Sequence, residues 1–455
     1  MQEDDGRVSR QVTGDDDAWA IAQAVLPGGV NASARLNSVI GKPFFASSGK
    51  GGVIVDALGR EYIDLSISNG ASLLGYGHPS ICGAVEQALR EGVLCAHETL
   101  HQISLAQRLT ELVPSAEMVR FCGTGTETTW HAIRLARAYT QRPIIIKFEG
   151  HFHGYNDYLA YSAWPPLDLA GSVDTPLLYP ETEGVPEAVR NYVIVLPFNN
   201  IHALEAVLNQ RHQDIAAVIL EPVNYNSGTI LPLPGYLESV RELTAKYGVL
   251  LIFDEILSGF QTGSDCMQGY FHVTPDLTTL GKALGAGMPL SALVGKREIM
   301  EKLAPLGKAM HSGTYIAHPT SILAAIAFLT EIDRAGFYPA LLGQCSYLIE
   351  NVRSIFQKAG MTVKVPVLGA RFSLLFGIAE EQHVTNYRDA ALHDRRSVQQ
   401  FYAMMLEEGI YFNPGWHHGI CSAHTTEQME RVLESVERVV RRMTGEKSSL
   451  KDQVS

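Results

Sequence analysis

The chain lacks long hydrophobic runs. No stretch approaches the ~20 consecutive apolar residues that cross a bilayer, and the opening MQEDDGRVSRQVTGDDD has no apolar centre of the kind a secretory signal carries. It lacks CxxC spacing: Cys82, Cys95, Cys122, Cys266, Cys345 and Cys421 are scattered, which points to free thiols in a reducing compartment rather than a disulfide framework or a zinc site. It lacks both the GK[ST] of a P-loop and the GxGxxG of a dinucleotide site. Positive charge is short as well, with 36 Lys and Arg against 48 Asp and Glu, a net charge of −12. That balance gives no general attraction for nucleic acid or an anionic membrane, and still leaves room for a local anion pocket. The expectation is a cytoplasmic protein without nucleic-acid, membrane or metal partners.

What is present is a large apolar fraction, 46% of 455 residues, with 18% charged. A chain of this length is expected to form more than one packed lobe. Ile144–Phe148, Val193–Leu196, Ala217–Leu220 and Val249–Phe253 are near-continuous apolar runs that suit strands buried on both faces. Amphipathic stretches such as Leu237–Tyr247 lie between them. Strand–helix alternation predicts an α/β fold with a mostly parallel sheet and helices on both faces. From about Pro319 the texture changes to a long helix (Ser321 to about Arg334), short strands such as Arg371–Phe376, and a last helix over Thr426–Met443. The expected organisation is a tail over 1–17, a segment over 18–68 packing with the small domain, a large domain over 69–319, a smaller α+β domain over 320–445, and a tail over 446–455.

Four features carry chemistry. Gly123-Thr124-Gly125-Thr126-Glu127 opens a helix running to about Thr140. Such a loop offers amide N–H groups, hydroxyls and a positive helix end to a phosphate, or serves simply as turn and cap. Gly150-His151-Phe152-His153-Gly154 follows a strand, where Phe152 can stack on a flat ring or pack as an ordinary aromatic; no acidic partner at ligand spacing makes His151 and His153 a metal site. Asp254 closes the strand VLLIFDE, placed to face a cation or to cap a loop. Lys282, in LTTLGKALGAGMPL, sits among few charges. Desolvation there would lower its pKa and free a nucleophilic amine; a solvent-facing lysine is the other reading.

In this order the blocks LPGGVNASAR, LGYGHP, RLARAYT, IIIKFEGHFHG, IAAVILEPV, YGVLLIFDEILSGF, PDLTTLGKALGAGMPL and HSGTYIAHP resemble fold-type I enzymes dependent on pyridoxal 5′-phosphate (PLP). The likeness is to class III aminotransferases, and within them to the glutamate-1-semialdehyde aminomutase branch, from about Leu26 to Met443. The resemblance implies that Lys282 holds PLP as a Schiff base and shuttles the proton, and that Asp254 pairs with the pyridine nitrogen. It places Phe152 and Ile256 on the two faces of the ring, His153 beside them, and Thr124, Gly125 and Thr126 around the phosphate. Thr314 resembles the threonine that reaches the phosphate of a neighbouring subunit, which implies a homodimer with shared sites.

Arg35 falls on the branch's carboxylate-binding arginine, a role that suits a planar guanidinium. Elsewhere the substrate side departs from the branch. Asn69 stands where an aromatic is usual, and Asn413-Pro414-Gly415-Trp416-His417-His418-Gly419 carries no glutamate. Asn69, Trp416, His417 and His418 are therefore the remaining candidates for substrate contact. These departures favour a ping-pong aminotransferase acting on an amino acid and an oxo acid. The alternatives are an intramolecular aminomutase and a catalytically silent protein of the same fold. The proline-rich stretch from Tyr155 to Pro186 is a candidate lid.

Overall fold

The computed structural model describes residues 15–445. The expected tails over 1–14 and 446–455 lie outside them. Residues 15–17, expected to belong to the first tail, instead open helix α1 (Asp15–Val25); an acid such as Asp17 in a first turn suits the positive end of a helix dipole. Strands β1 (Ala46–Lys50), β2 (Val53–Asp56) and β3 (Glu61–Asp64) follow as an antiparallel meander.

The centre is a seven-stranded sheet. Its members are β4 (Met118–Cys122), β5 (Ile144–Phe148), β6 (Val193–Leu196), β7 (Ile215–Leu220), β8 (Leu250–Glu255), β9 (Leu277–Leu280) and β10 (Ser291–Gly295), in the spatial order β4-β10-β9-β8-β7-β5-β6. Strand β10 runs antiparallel to both its neighbours, and the other pairings are parallel. Strands β5, β7 and β8 are buried at every residue, as a sheet with helices on both faces requires. Helix α2 (Gly125–Thr140) turns Ala132, Ile133, Leu135 and Ala136 into an apolar core shared with Ile145, Ile219, Ile252 and Leu293.

Beyond the sheet, helix α3 (Pro319–Ile332) starts two residues before the expected Ser321, because Pro319 is suited to a first helical turn. The strand expected over Arg371–Phe376 is split into β11 (Arg371–Phe372) and β12 (Leu375–Phe376). The break falls at Ser373, whose hydroxyl donates to the Trp416 carbonyl at 2.5 Å. Strand β13 (Ile410–Tyr411) pairs parallel with β3, so the early meander and the end of the chain form one four-stranded sheet. Strand β14 (His418–Gly419) pairs with β11, and helix α4 (Thr426–Thr444) closes the described chain. Among the described residues no helix is long and apolar enough to cross a membrane.

Candidate active site

Six strands of the sheet run in one direction and end on one edge, and the segments leaving five of them line one cleft of about 230 Å³. This is where an open α/β sheet takes a ligand. The turn after β4 supplies Thr124, Gly125 and Thr126. The segment after β5 supplies Phe152, His153 and Gly154, β7 leads into Glu221, β8 gives Asp254 and Ile256, and Lys282 follows β9.

Asp254 is 4% exposed and held from three sides. Its Oδ1 accepts from the Thr279 hydroxyl at 2.9 Å and from the Ile256 amide at 3.1 Å. Its Oδ2 lies 2.6 Å from His153 Nδ1. A carboxylate can only accept, so Nδ1 carries the proton and Nε2 is left without one. Burial pushes the His153 pKa down against the pull of Asp254, which keeps the ring neutral, and His153 Nε2 is a buried acceptor without a partner among the described residues.

Lys282 opens a short turn after β9 with φ of +42°, a conformation that costs a non-glycine residue and recurs at functional sites. Burial lowers its pKa, with Asp254 and Glu221 opposing and Arg371 adding to the fall. The result is an amine more easily deprotonated than a surface lysine.

The loop before α2 is held by its own side chains. Thr124 caps the helix by accepting from the Glu127 amide at 3.1 Å, and Glu127 Oε2 accepts from the Gly123 amide at 2.7 Å. Gly154 has φ of +86°, and a Cβ there would come within 2.4 Å of Thr126 Oγ1; only glycine lets the two segments close. Ile256 packs on the same loop, 3.1 Å from where a Cβ on Gly125 would stand.

Glu221 was not singled out from sequence, although a carboxylate closing the apolar run IAAVIL is the signal that finds it. It is 3% exposed, accepts from the Phe152 amide at 2.8 Å and from Asn226 Nδ2 at 2.9 Å, and burial with Asp254 beside it pushes its pKa up to about 8. Phe152 stacks on Trp164 with centroids 5.2 Å apart and planes 18° apart. Trp164 is in turn tied by its indole N–H to the Asn226 carbonyl at 2.8 Å.

The substrate-side candidates divide. Arg35 and Asn69 line a neighbouring cleft with Tyr411 and Asn413, where Asn413 Nδ2 donates to Asn69 Oδ1 at 2.6 Å. Trp416 lines another cleft with Trp164, His393 and Tyr402. His417 meets Arg371, fully buried at the start of β11 and not noticed from sequence. His418 is not brought to any of these clefts. It is 0% exposed, bonded to Tyr402 Oη at 2.6 Å and packed on Phe372 and Phe412, because its place in β14 turns it into the core. Thr314 is exposed and lines a cleft with His97 and Arg120, away from Lys282 of its own chain. The 155–186 stretch is tied down by Ser162 N–H to the Tyr179 carbonyl at 2.7 Å, by Trp164 N–H to Glu181 at 2.9 Å, and by Arg388, which also pairs with Glu149 at 2.8 Å.

A pinned buried carboxylate, a desolvated lysine, an aromatic, a branched aliphatic and a threonine-bearing helix start, all lining one cleft, together fit a flat cationic pyridine bearing a phosphate. The chain matches the model of the aminotransferase class-III family over residues 37–431. It is 39% identical over 424 residues to a glutamate-1-semialdehyde 2,1-aminomutase of Nitrosospira multiformis, covering 92% of this chain and 97% of that one. Its fold superposes on an omega-transaminase from Sphaerobacter thermophilus with a TM-score of 0.88 and 32% identity, over 96% of this chain and 99% of that one. A transaminase with PLP bound gives 0.85 and 27%, over 95% and 98%. The chain belongs to the class III aminotransferase family of fold-type I, and its cofactor is pyridoxal 5′-phosphate.

Proposed function

We propose that this enzyme moves an amino group on a carboxylate-bearing amino acid, with Lys282 as the residue that carries PLP. The observation that supports this is the convergence of Lys282, Asp254 and the Thr124–Thr126 loop on one cleft. When bound, PLP supplies an electrophilic carbon for the amine and a ring that withdraws electrons from the carbon being deprotonated. Asp254, pinned by Thr279, Ile256 and His153, holds the proton on the ring nitrogen. Thr124, Gly125 and Thr126 hold the phosphate. Lys282 Nζ would carry PLP and, when free, would take the proton from the substrate carbon and return it to a carbon on the other side of the amino nitrogen. Phe152 and Ile256 would bound the ring, and Glu221 fixes the backbone of Phe152.

The sequence expectation favoured a transaminase. The 39% identical relative is named an aminomutase, and that likeness favours the alternative: an intramolecular shift of an amino group between neighbouring carbons of one substrate. A second reading, transfer between two molecules, is supported by the 32% identical omega-transaminase and by the absence of a glutamate in the Asn413–Gly419 segment. Incubation of holoenzyme with glutamate-1-semialdehyde alone separates them. Formation of 5-aminolevulinate without an added donor or acceptor establishes the isomerase. No product, but conversion once an amino donor and an oxo acid are both supplied, establishes the transaminase.

We also propose a homodimer in which Thr314 completes the partner's phosphate site. Its support is a surface too apolar to be left in water: Ile103, which shares the cleft of Thr314, is 55% exposed, Leu100 one turn away on the same helix 79%, and Tyr315 73%.

A further inference from the structure

Among the described residues, Arg371 is the largest side chain with no exposure at all, and its charge has no direct ionic partner there. Nη2 donates to His417 Nδ1. Nε and Nη1 have no hydrogen-bond partner among the described residues. The carboxylate in whose field it lies, Asp64, is already taken: Oδ1 accepts from the Ser66 amide at 2.7 Å, and Oδ2 from the Ile67 amide at 3.0 Å and from Tyr76 Oη at 2.6 Å. A buried guanidinium with one of its three nitrogens bonded is costly to keep.

The guanidinium does not line the Lys282 cleft but lies behind its wall. A Cβ on Gly70 would meet Nη1 at 2.9 Å and Leu257 Cδ1 at 3.0 Å, and Leu257 lines the Lys282 cleft. A Cβ on Gly419 would meet Nη1 at 3.1 Å from the other side. Gly70 ends a run of four left-handed residues, Ile67, Ser68, Asn69 and Gly70, with φ of 45°, 52°, 54° and 89°. Such a conformation is costly for a β-branched residue such as Ile67, and the run carries the chain past the guanidinium without a side chain intervening. His417 stands in the electrostatic field of both Arg371 and Lys282, and burial with those two charges holds its pKa well below the usual range. It is thus a neutral acceptor, a weak substitute for a carboxylate.

We propose that Arg371 is the residue that reads the substrate's carboxylate beside the reacting carbon, with His417 occupying its Nη2 until the substrate arrives. This rests on the reading of the enzyme as one that acts on amino or oxo acids. The ligand class is a carboxylate able to accept two parallel N–H bonds, and displacement of His417 exposes the fork that matches it. Arg35, exposed in the neighbouring cleft with Asn69, is then left to the far end of the substrate.

The test uses holoenzyme of wild type, Arg371→Met and His417→Ala. Two quantities are read: the calorimetric affinity for succinate, which needs no turnover, and the preference for an amino acid over the amine lacking its carboxylate, as the rate of bleaching of the cofactor band. Met is a suitable replacement because apolar side chains of similar volume are tolerated where charges were buried. Arg371→Met is expected to weaken succinate binding and to reduce the acid-to-amine preference, each by about 30- to 100-fold. His417→Ala is expected to tighten succinate binding by roughly threefold or more, since the competing acceptor is gone; this arm stands even if Arg371→Met does not fold. Unchanged succinate affinity in both variants, or acid and amine rates falling together with the preference kept, overturns the assignment. A wild type that binds succinate through Arg371 but transfers no amino group sinks the proposed reaction and leaves this assignment standing.

Discussion

His153 donates from Nδ1 to Asp254 Oδ2 across 2.6 Å, and the two side chains are 1% and 4% exposed. The bond does two things at once. It selects the imidazole tautomer, and it fixes one oxygen of a carboxylate that lines the cleft. The other oxygen is steadied by Thr279 and the Ile256 amide. Buried charge-assisted bonds of this kind are the strong ones.

Asp254→Asn keeps the shape and removes the charge. The expected result is retention of bound PLP with turnover reduced by about 10³-fold or more, the scale expected when a charge that stabilises the transition state is lost. His153→Ala removes one charge-assisted bond and is expected to cost about 10- to 100-fold. Steady-state rates with the cofactor absorption recorded in parallel check both. If His153→Ala equals wild type in rate and spectrum, the His153–Asp254 bond has no part in positioning.

The parts of the fold that could be read from sequence are those where burial alone dictates the residue. Strands β5 and β6 are bounded as their apolar runs predict, since a strand covered on both faces has no polar alternation to blur its ends. Lys282, Asp254 and the Thr124–Thr126 loop were legible because each sits at a strand end or helix start, and the structure gathers them around one cleft. Arg371 was not, because one arginine heading an apolar strand looks like a solvent-facing end; its burial depends on β14 pairing from almost fifty residues further on. His418 was misplaced for the same reason, its direction being set by strand pairing rather than by its neighbours in sequence.

Glu221 holds the Phe152 backbone through one oxygen and Asn226 through the other. Glu221→Gln keeps an oxygen for the Phe152 amide, whereas Glu221→Ala leaves that amide unpaired. The expected order of PLP retention is wild type, then Gln, then Ala, with Ala weaker by about tenfold. Cofactor loss on dialysis, followed by absorbance, measures it. Equal retention in all three would show that Phe152 is held without Glu221.

His418 and His424 make the buried surroundings of β14 acid-sensitive. Burial lowers their pKa values to about 3 and about 4, while the unfolded chain protonates them near ~6.5. Between those values the unfolded state binds more protons, so their contribution to stability falls as pH drops from about 6.5 toward 4. At most, His418 contributes on the order of 5 kcal/mol and His424 about 3 kcal/mol. His418→Leu removes one such group. The variant is expected to be less stable than wild type at pH 7.5, where Tyr402 loses its partner, and the gap in melting temperature should narrow as the pH is lowered to 4.5. A gap that stays constant across that range would mean His418 is not kept neutral by the fold.

Thr314 offers the strictest test of a shared site, since it does not line the Lys282 cleft of its own chain. Thr314→Glu sets a negative charge where the partner's phosphate would be contacted, and Lys282→Ala removes the carrier lysine. Each variant alone is expected to be nearly inactive. Unfolded and refolded together in equal amounts, they form mixed dimers in which one of the two sites carries both Lys282 and Thr314. Random pairing makes half of the dimers mixed, so recovery of about a quarter of wild-type activity is expected. Recovery at that level requires that each site draw Thr314 from the opposite subunit. If Thr314→Glu alone is fully active, or the mixture shows no more activity than the two variants apart, each chain completes its own site and the shared-site dimer is wrong.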